Sequence, residues 1–168
     1  MYETNRLILR KAVFSDWEQM YRNVWCHWET ARYMLWAVTE SEAAAKERME
    51  RTIAFQQGHH AWLVVEKESG KAIGFAGLRE ESGVCEDTGI AVGPRYVGKG
   101  YGTEILNELV RIAKEGLNAH RFIATCRSEN EASRKMILGC GFRFSHAEPR
   151  VDKRNGEKYT LEFYRKEL

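Results

Sequence analysis

The stretch GPRYVGKGYGT, residues 93–103, joins an apolar run ending at Val92 to a segment in which Ile105, Leu109 and Ile112 recur at helical spacing. A helix that begins among glycines leaves its first N–H groups unpaired, with the positive end of its dipole beside them. Such a junction is an anion site. Two phosphate-loop signatures nearly match it. Residues 93–99 read G-x-x-x-x-G-K, but Gly100 stands where a nucleoside-triphosphate loop needs a Ser or Thr hydroxyl for Mg²⁺. Gly98, Gly100 and Gly102 fall one residue short of the dinucleotide fingerprint, and the next strand-like run, 121–126, ends without a carboxylate. What survives is an anion site that needs neither metal nor lysine, with glycines letting the backbone approach a diphosphate.

The rest of the chain supplies a sheet and helices around this junction. Residues 4–10 set Leu7 and Leu9 on one side of a first strand. Ser15 and Glu18 form a capping box that predicts a helix carrying Trp17, Met20, Val24 and Trp28. Thr39 and Glu42 predict another, with Ala45, Met49 and Ile53 on one face. Runs 61–65 and 72–78 read as strands joined by the turn Glu68-Ser69-Gly70, and 88–92 as the end of a third. Ser128 and Glu131 predict a helix ending near Gly139 or Gly141. Asn155-Gly156 turns a terminal hairpin, with Tyr159, Leu161 and Phe163 alternating beyond it. No linker or repeat interrupts this order, which predicts one α+β domain over residues 1–168.

Net charge of +2 argues against nucleic acid as a partner. No apolar run approaches the ~20 residues of a membrane span and the N-terminus lacks a signal-peptide core, so a cytoplasmic protein is expected. Cys26, Cys85, Cys126 and Cys140 show no C-x-x-C spacing and read as reduced thiols. His59 and His60 lack metal-ligand partners at useful spacing, so no metal is expected. Lys153 and Arg154 read as solvated flanks of the hairpin turn.

Residues 95–100, RYVGKG, match R/Q-x-x-G-x-G/A, the pyrophosphate-binding signature of the GNAT superfamily of acetyl-CoA-dependent N-acetyltransferases. The preceding DTGIAVGP resembles that family's E-x-G-Y-x-(hydrophobic)-x-P. The run NEAS from Asn130, ending in Gly141-Phe142, resembles its N-x-x-S/A…G-F segment, and RLILR from Arg6 is similar to the R-L-x-L-R opening of the branch containing ribosomal-protein alanine acetyltransferases. The resemblance implies a three-layer α/β sandwich around a mixed, mostly antiparallel sheet of about seven strands, with about four helices. It implies acetyl-CoA as cosubstrate, with Arg95, Val97, Gly98, Lys99, Gly100, Tyr101, Gly102 and Thr103 as the diphosphate loop. Backbone groups of Ile90 and Val92 would pair with the pantetheine arm, which Asn130 and Ser133 would also contact.

By the same resemblance Asp87 stands where a Glu often relays the amine's proton, although a solvated strand carboxylate is an equal reading of the residue itself. Many members carry a Tyr seven residues after the motif Asn, to protonate the departing thiolate. Here that position is Ile137, leaving Ser133 or water to assist. The acceptor implied is a primary amine, on a protein N-terminus or a small molecule, in a monomer or homodimer. The aromatic segment Trp25-Cys26-His27-Trp28 with Tyr33, Met34 and Trp36 offers rings either for an amine pocket or for covering the sheet. A non-catalytic acyl-CoA-binding domain is the alternative, since the Tyr is missing and Asp replaces Glu.

Overall fold

A computed structural model of residues 1–168 shows eight strands in one open sheet, in the order β1-β2-β3-β4-β5-β6-β8-β7. The strands are β1 (Tyr2–Glu3), β2 (Leu7–Arg10), β3 (His60–Glu66), β4 (Ala72–Glu81), β5 (Val84–Val92), β6 (Arg121–Arg127), β7 (Arg143–Val151) and β8 (Lys158–Glu167). Five α-helices accompany them: α1 (Trp17–Met20), α2 (Trp28–Ala31), α3 (Glu42–Gly58), α4 (Tyr101–Arg111) and α5 (Glu131–Gly139). The extra strand is the two-residue β1, and the extra helix is a single turn. Every neighbouring pair is antiparallel except β5 and β6, whose crossover carries α4.

The layers follow from side-chain alternation. Trp62 and Val64 of β3 enter a core of 22 buried residues under α4 and α5, with Ile105, Leu109 and Ile137. Leu63 and Val65 face the other way, into a 9-residue cluster with Met20, Val24, Ala45 and Met49 from the layer of α1 and α3. A strand buried on both faces needs a continuous apolar run, and Trp62-Leu63-Val64-Val65 supplies one.

The three capping boxes start their helices at other residues. In the first, the backbone N–H of Val13 donates to Asp16 Oδ2 at 2.9 Å, and Arg10 clamps both Asp16 oxygens at 2.7 Å. That segment is broken, passing from a 3₁₀ turn (Phe14–Asp16) through α1 to a π turn (Tyr21–Trp25), and restarting after an extended His27. The break turns Trp28 outward at 60% exposure, off the face that holds Met20 and Val24. Helix α3 is capped by Ser41, whose Oγ accepts from the N–H of Ala44, and α5 by Asn130, whose Oδ1 accepts from the N–H of Ser133. These two caps lie within two residues of the expected ones and lack an acidic residue at the third helical position, so each works singly. His60 begins β3, and His59 stacks on Phe55.

Candidate active site

Strand β5 ends at Val92, a 3₁₀ turn (Pro94–Tyr96) follows, and α4 begins at Tyr101 after a left-handed Gly100 (φ +81°). Gly98 is also left-handed, at φ +79°. The N–H groups of Gly98, Lys99, Gly100, Tyr101, Gly102 and Thr103 donate to no protein acceptor. They form a run of bare donors at a helix start, which suits a diphosphate. Gly102 has a second reason. A Cβ there would come within 2.6 Å of Met136 Sδ, so this glycine also lets α4 pack closely on α5.

Side chains of the loop are engaged elsewhere or open to solvent. The buried Tyr101 hydroxyl donates to Glu66 Oε1 at 2.5 Å, leaving only its backbone toward the loop. Val97 is exposed, and so is Arg95, which has no carboxylate partner. Arg6 sets the loop from outside: Nη1 donates to the Lys99 carbonyl at 2.9 Å, Nε to Glu104 Oε2 at 2.8 Å, and its guanidinium lies 4.5 Å from the Tyr101 ring centroid. With Arg10 held by Asp16, both arginines of the opening RLILR serve the fold.

Strands β5 and β6 pair in parallel over Val84↔Arg121, Cys85↔Phe122 and Glu86↔Ile123, then part. Asp87 sits at the fork. Its Oδ1 accepts the Thr125 N–H at 2.8 Å, so a side chain bridges the strands where the backbone ladder stops. The β4–β5 register jumps from Leu78↔Asp87 to Gly77↔Gly89, leaving Thr88 as a bulge. The bulge puts Asp87 on the same sheet face as Ile90 and Val92, because Leu78, Ala76 and Gly74 opposite them alternate regularly. Across β4, the Gly93 N–H donates to the Ile73 carbonyl. Antiparallel alternation then turns the backbone groups of Ile90 and Val92 to the free edge left by β6.

A cleft of about 460 Å³ fills the fork, walled by Asp87, Ile90, Asn130, Ser133, Tyr33 and Tyr159 among others. The structure thus brings together the strand carboxylate and the α5 cap that the sequence singled out separately. Burial pushes the Asp87 carboxyl up to about 7; the Thr125 N–H opposes this and the charge of Glu86 adds to it. Ile137 is buried in the cleft wall, and two phenols line the same space, Tyr33 and Tyr159. Tyr33 comes from the aromatic segment that the sequence offered for a pocket, whereas the place of Tyr159 in the cleft had no local sequence signal, since it depends on how the terminal hairpin folds back. Cys126 also lines it, its thiol pushed up to about 11 by burial.

A larger cavity, about 930 Å³, lies between α3 and the sheet and meets the cleft at Trp36, Phe75, Thr88 and Gly89, where β5 bulges. Trp25 and Trp36 line it, and the Arg48 guanidinium stacks on both, 4.7 and 4.2 Å from their centroids. The ring faces expected to receive an amine therefore already hold a cation. Arg154 is exposed, yet it is more than a solvated flank. It donates to Asp152, which also pairs with Arg127, and to the carbonyls of Ala31 and Trp36, tying the hairpin to the segment that carries Trp36.

Similar folds occur in acetyltransferases. A GNAT-family acetyltransferase from Bacillus anthracis superposes with a TM-score of 0.84 at 22% identity, covering 98% of this chain and 96% of that one. RimL, a ribosomal L7/L12 alpha-N-protein acetyltransferase in complex with coenzyme A, gives 0.80 at 17% identity over 98% and 96%. An N-acetyltransferase of Bacillus subtilis, YnaD, is 27% identical over 144 residues, 83% of this chain and 81% of its own. The sheet, with its one parallel pair, is the GNAT fold. The family model for the acetyltransferase (GNAT) domain matches residues 6–143, and the chain belongs to that family.

Proposed function

We propose that residues 1–168 act as one cytoplasmic domain that transfers acetyl directly from acetyl-CoA to a primary amine, at a protein N-terminus or on a small molecule. The observation that carries this reading is the fork of β5 and β6, with a carboxylate of raised pKa at its base, opening beside bare loop amides. Acetyl-CoA brings the acetyl group as a thioester. The amides at 98–103 and Arg95 hold its diphosphate, and the free backbone groups of Ile90 and Val92 hold its arm. Asn130 and Ser133 line the opposite wall.

Asp87 takes the amine's proton. A carboxylate at about 7 accepts a proton from an α-ammonium of pKa ~8 at a cost of about 1.4 kcal/mol, against roughly 4.6 kcal/mol from a lysine ammonium at ~10.4. The site is therefore matched to amines of low pKa. The family resemblance of RimL, whose name gives a protein α-amine, agrees with that preference. Burial keeps the Cys126 and Cys140 thiols protonated, which supports direct transfer over a thiol carrier.

Turnover of acetyl-CoA with a panel of amines, followed by thiol release, tests the reading. Release with at least one amine of pKa near 8, faster than with lysine side chains, is expected. Acetyl-CoA binding without release for every amine would favour a binding domain instead, the reading to which the buried Ile137 in the tyrosine position points.

A further inference from the structure

The wall of the larger cavity holds a cation without a counter-ion. Arg48 is the only partly buried arginine of the chain that has no carboxylate within 4.0 Å; the other unpaired arginines, Arg32, Arg95, Arg143 and Arg165, are exposed. Its one hydrogen bond within the protein runs from Nη1 to Thr39 Oγ1, at 3.0 Å. Trp25 and Trp36 fix its plane, and the remaining donors of the guanidinium fork have no protein acceptor. Burial and the nearby Arg51 bring its pKa down to about 10, so it is still charged at neutral pH. The cavity's only acidic lining residue is Glu40, which is exposed, against Arg48 and Arg51. Beside them the Trp36 indole N–H is buried with no acceptor. The remaining walls are largely apolar, including Phe55, Trp62 and Phe75.

A guanidinium held by two indoles and left short of acceptors is a receptor for a planar or tetrahedral oxyanion. It also repels a second cation from the ring faces it covers. The same cavity reaches the β5 bulge at Thr88 and Gly89, where it meets the cleft that contains Asp87. On the reading that the cleft performs acetyl transfer, we infer that the acceptor is an amine that also carries an anionic group, a carboxylate or a phosphate, which Arg48 binds while the amine points to the bulge. Simple alkylamines and polyamines are poor acceptors, because both leave the fork unpaired and polyamines bring further positive charge.

The test uses matched pairs with and without the anion: phenylalanine and phenylalaninamide, 6-aminohexanoate and hexylamine, phosphoethanolamine and ethanolamine. In at least one pair the anionic member is expected to have the higher kcat/KM, and the pair that responds tells carboxylate from phosphate. Arg48→Gln should weaken that member about ten- to hundred-fold, the scale of a charge-assisted hydrogen-bonded pair. KM for acetyl-CoA and the rate with the neutral member should be unchanged. Arg48→Lys, which keeps the charge and loses the fork, should fall between. If Arg48→Gln slows both members of every pair alike, or slows neither, the inference is wrong.

Binding of phenylpropionate and phosphate to the protein without acetyl-CoA, read by tryptophan fluorescence, separates this idea from the activity. Wild-type binding that is lost in Arg48→Gln upholds the anion site even if no amine is acetylated, in which case the transfer reading alone fails. Equal binding of both ligands to wild type and variant, or none to either, overturns the anion site. Arg48→Lys serves both assays should the glutamine variant fold poorly.

Discussion

Asp87→Asn is expected to make the protein more stable and less active, and the two effects should share one pH scale. The carboxyl moves from an ordinary 3.8 to about 7 on folding. At ~1.36 kcal/mol per pH unit, that difference corresponds to about 4 kcal/mol between the two protonation states. The folded protein binds this proton more tightly than the unfolded chain, so the side chain's contribution to stability is full below about pH 4. It declines as pH rises to about 7 and is constant beyond. Asparagine carries no such proton and keeps an oxygen for the Thr125 N–H. The variant should therefore match wild type near pH 4 and exceed it by at most about 4 kcal/mol at pH 8, an upper limit because cleft water reaches the side chain. For a chain of this size that is a rise in Tm of up to about 10 °C.

Turnover should drop about 10²- to 10⁴-fold, and the rise of kcat/KM with pH centred near 7 in wild type should vanish. Thermal melts from pH 4 to 8.5 and thiol-release rates over the same range measure both. A stability gap that does not change with pH would refute the burial argument, and full activity in the variant would refute the proton-transfer role.

Gly100→Glu sets a carboxylate beside the bare amides at a left-handed position, and should abolish acetyl-CoA binding in calorimetry while far-UV dichroism is unchanged. Arg6→Met removes the bond to the Lys99 carbonyl and the pair with Glu104, and should raise KM for acetyl-CoA several-fold with little change in kcat. Cys126→Ala should retain turnover within about a factor of three, and iodoacetamide at neutral pH should not inactivate wild type through this residue, whose thiol is pushed up to about 11.

The features legible in the sequence were those encoded by neighbours along the chain. Alternation of Leu7 and Leu9, the helical spacing of Ile105, Leu109 and Ile112, and the Asn155-Gly156 turn each depend on a few adjacent residues, and each element formed as expected. The glycine junction was legible for the same reason, except that Gly102 also answers to Met136, far along the chain. Caps were misplaced because Ser and Thr recur within two residues of the real ones, and the choice between them is made by packing. What stayed hidden was set by distant partners. The bulge at Thr88 and the parting of β5 from β6 depend on register with other strands. Arg48 carried no local signal, because Trp25 and Trp36 meet it only in the fold, and Arg154 read as solvated because its partners arrive when the hairpin folds back to Trp36.

The sheet's single parallel junction makes a seam through the molecule. On one side lies an antiparallel block, β1 to β5, on the other the block of β6, β8 and β7, and only three registered pairs stitch one to the other before they diverge. A long ligand lying in that opening touches both blocks and works as a staple. Its binding energy then resists separation of the halves as well as local motion, so melting temperature should climb steeply with ligand concentration. Thermal shift is accordingly a sensitive screen for coenzyme A fragments: those spanning the divergence should protect the whole fold, and those touching one lip only should protect far less.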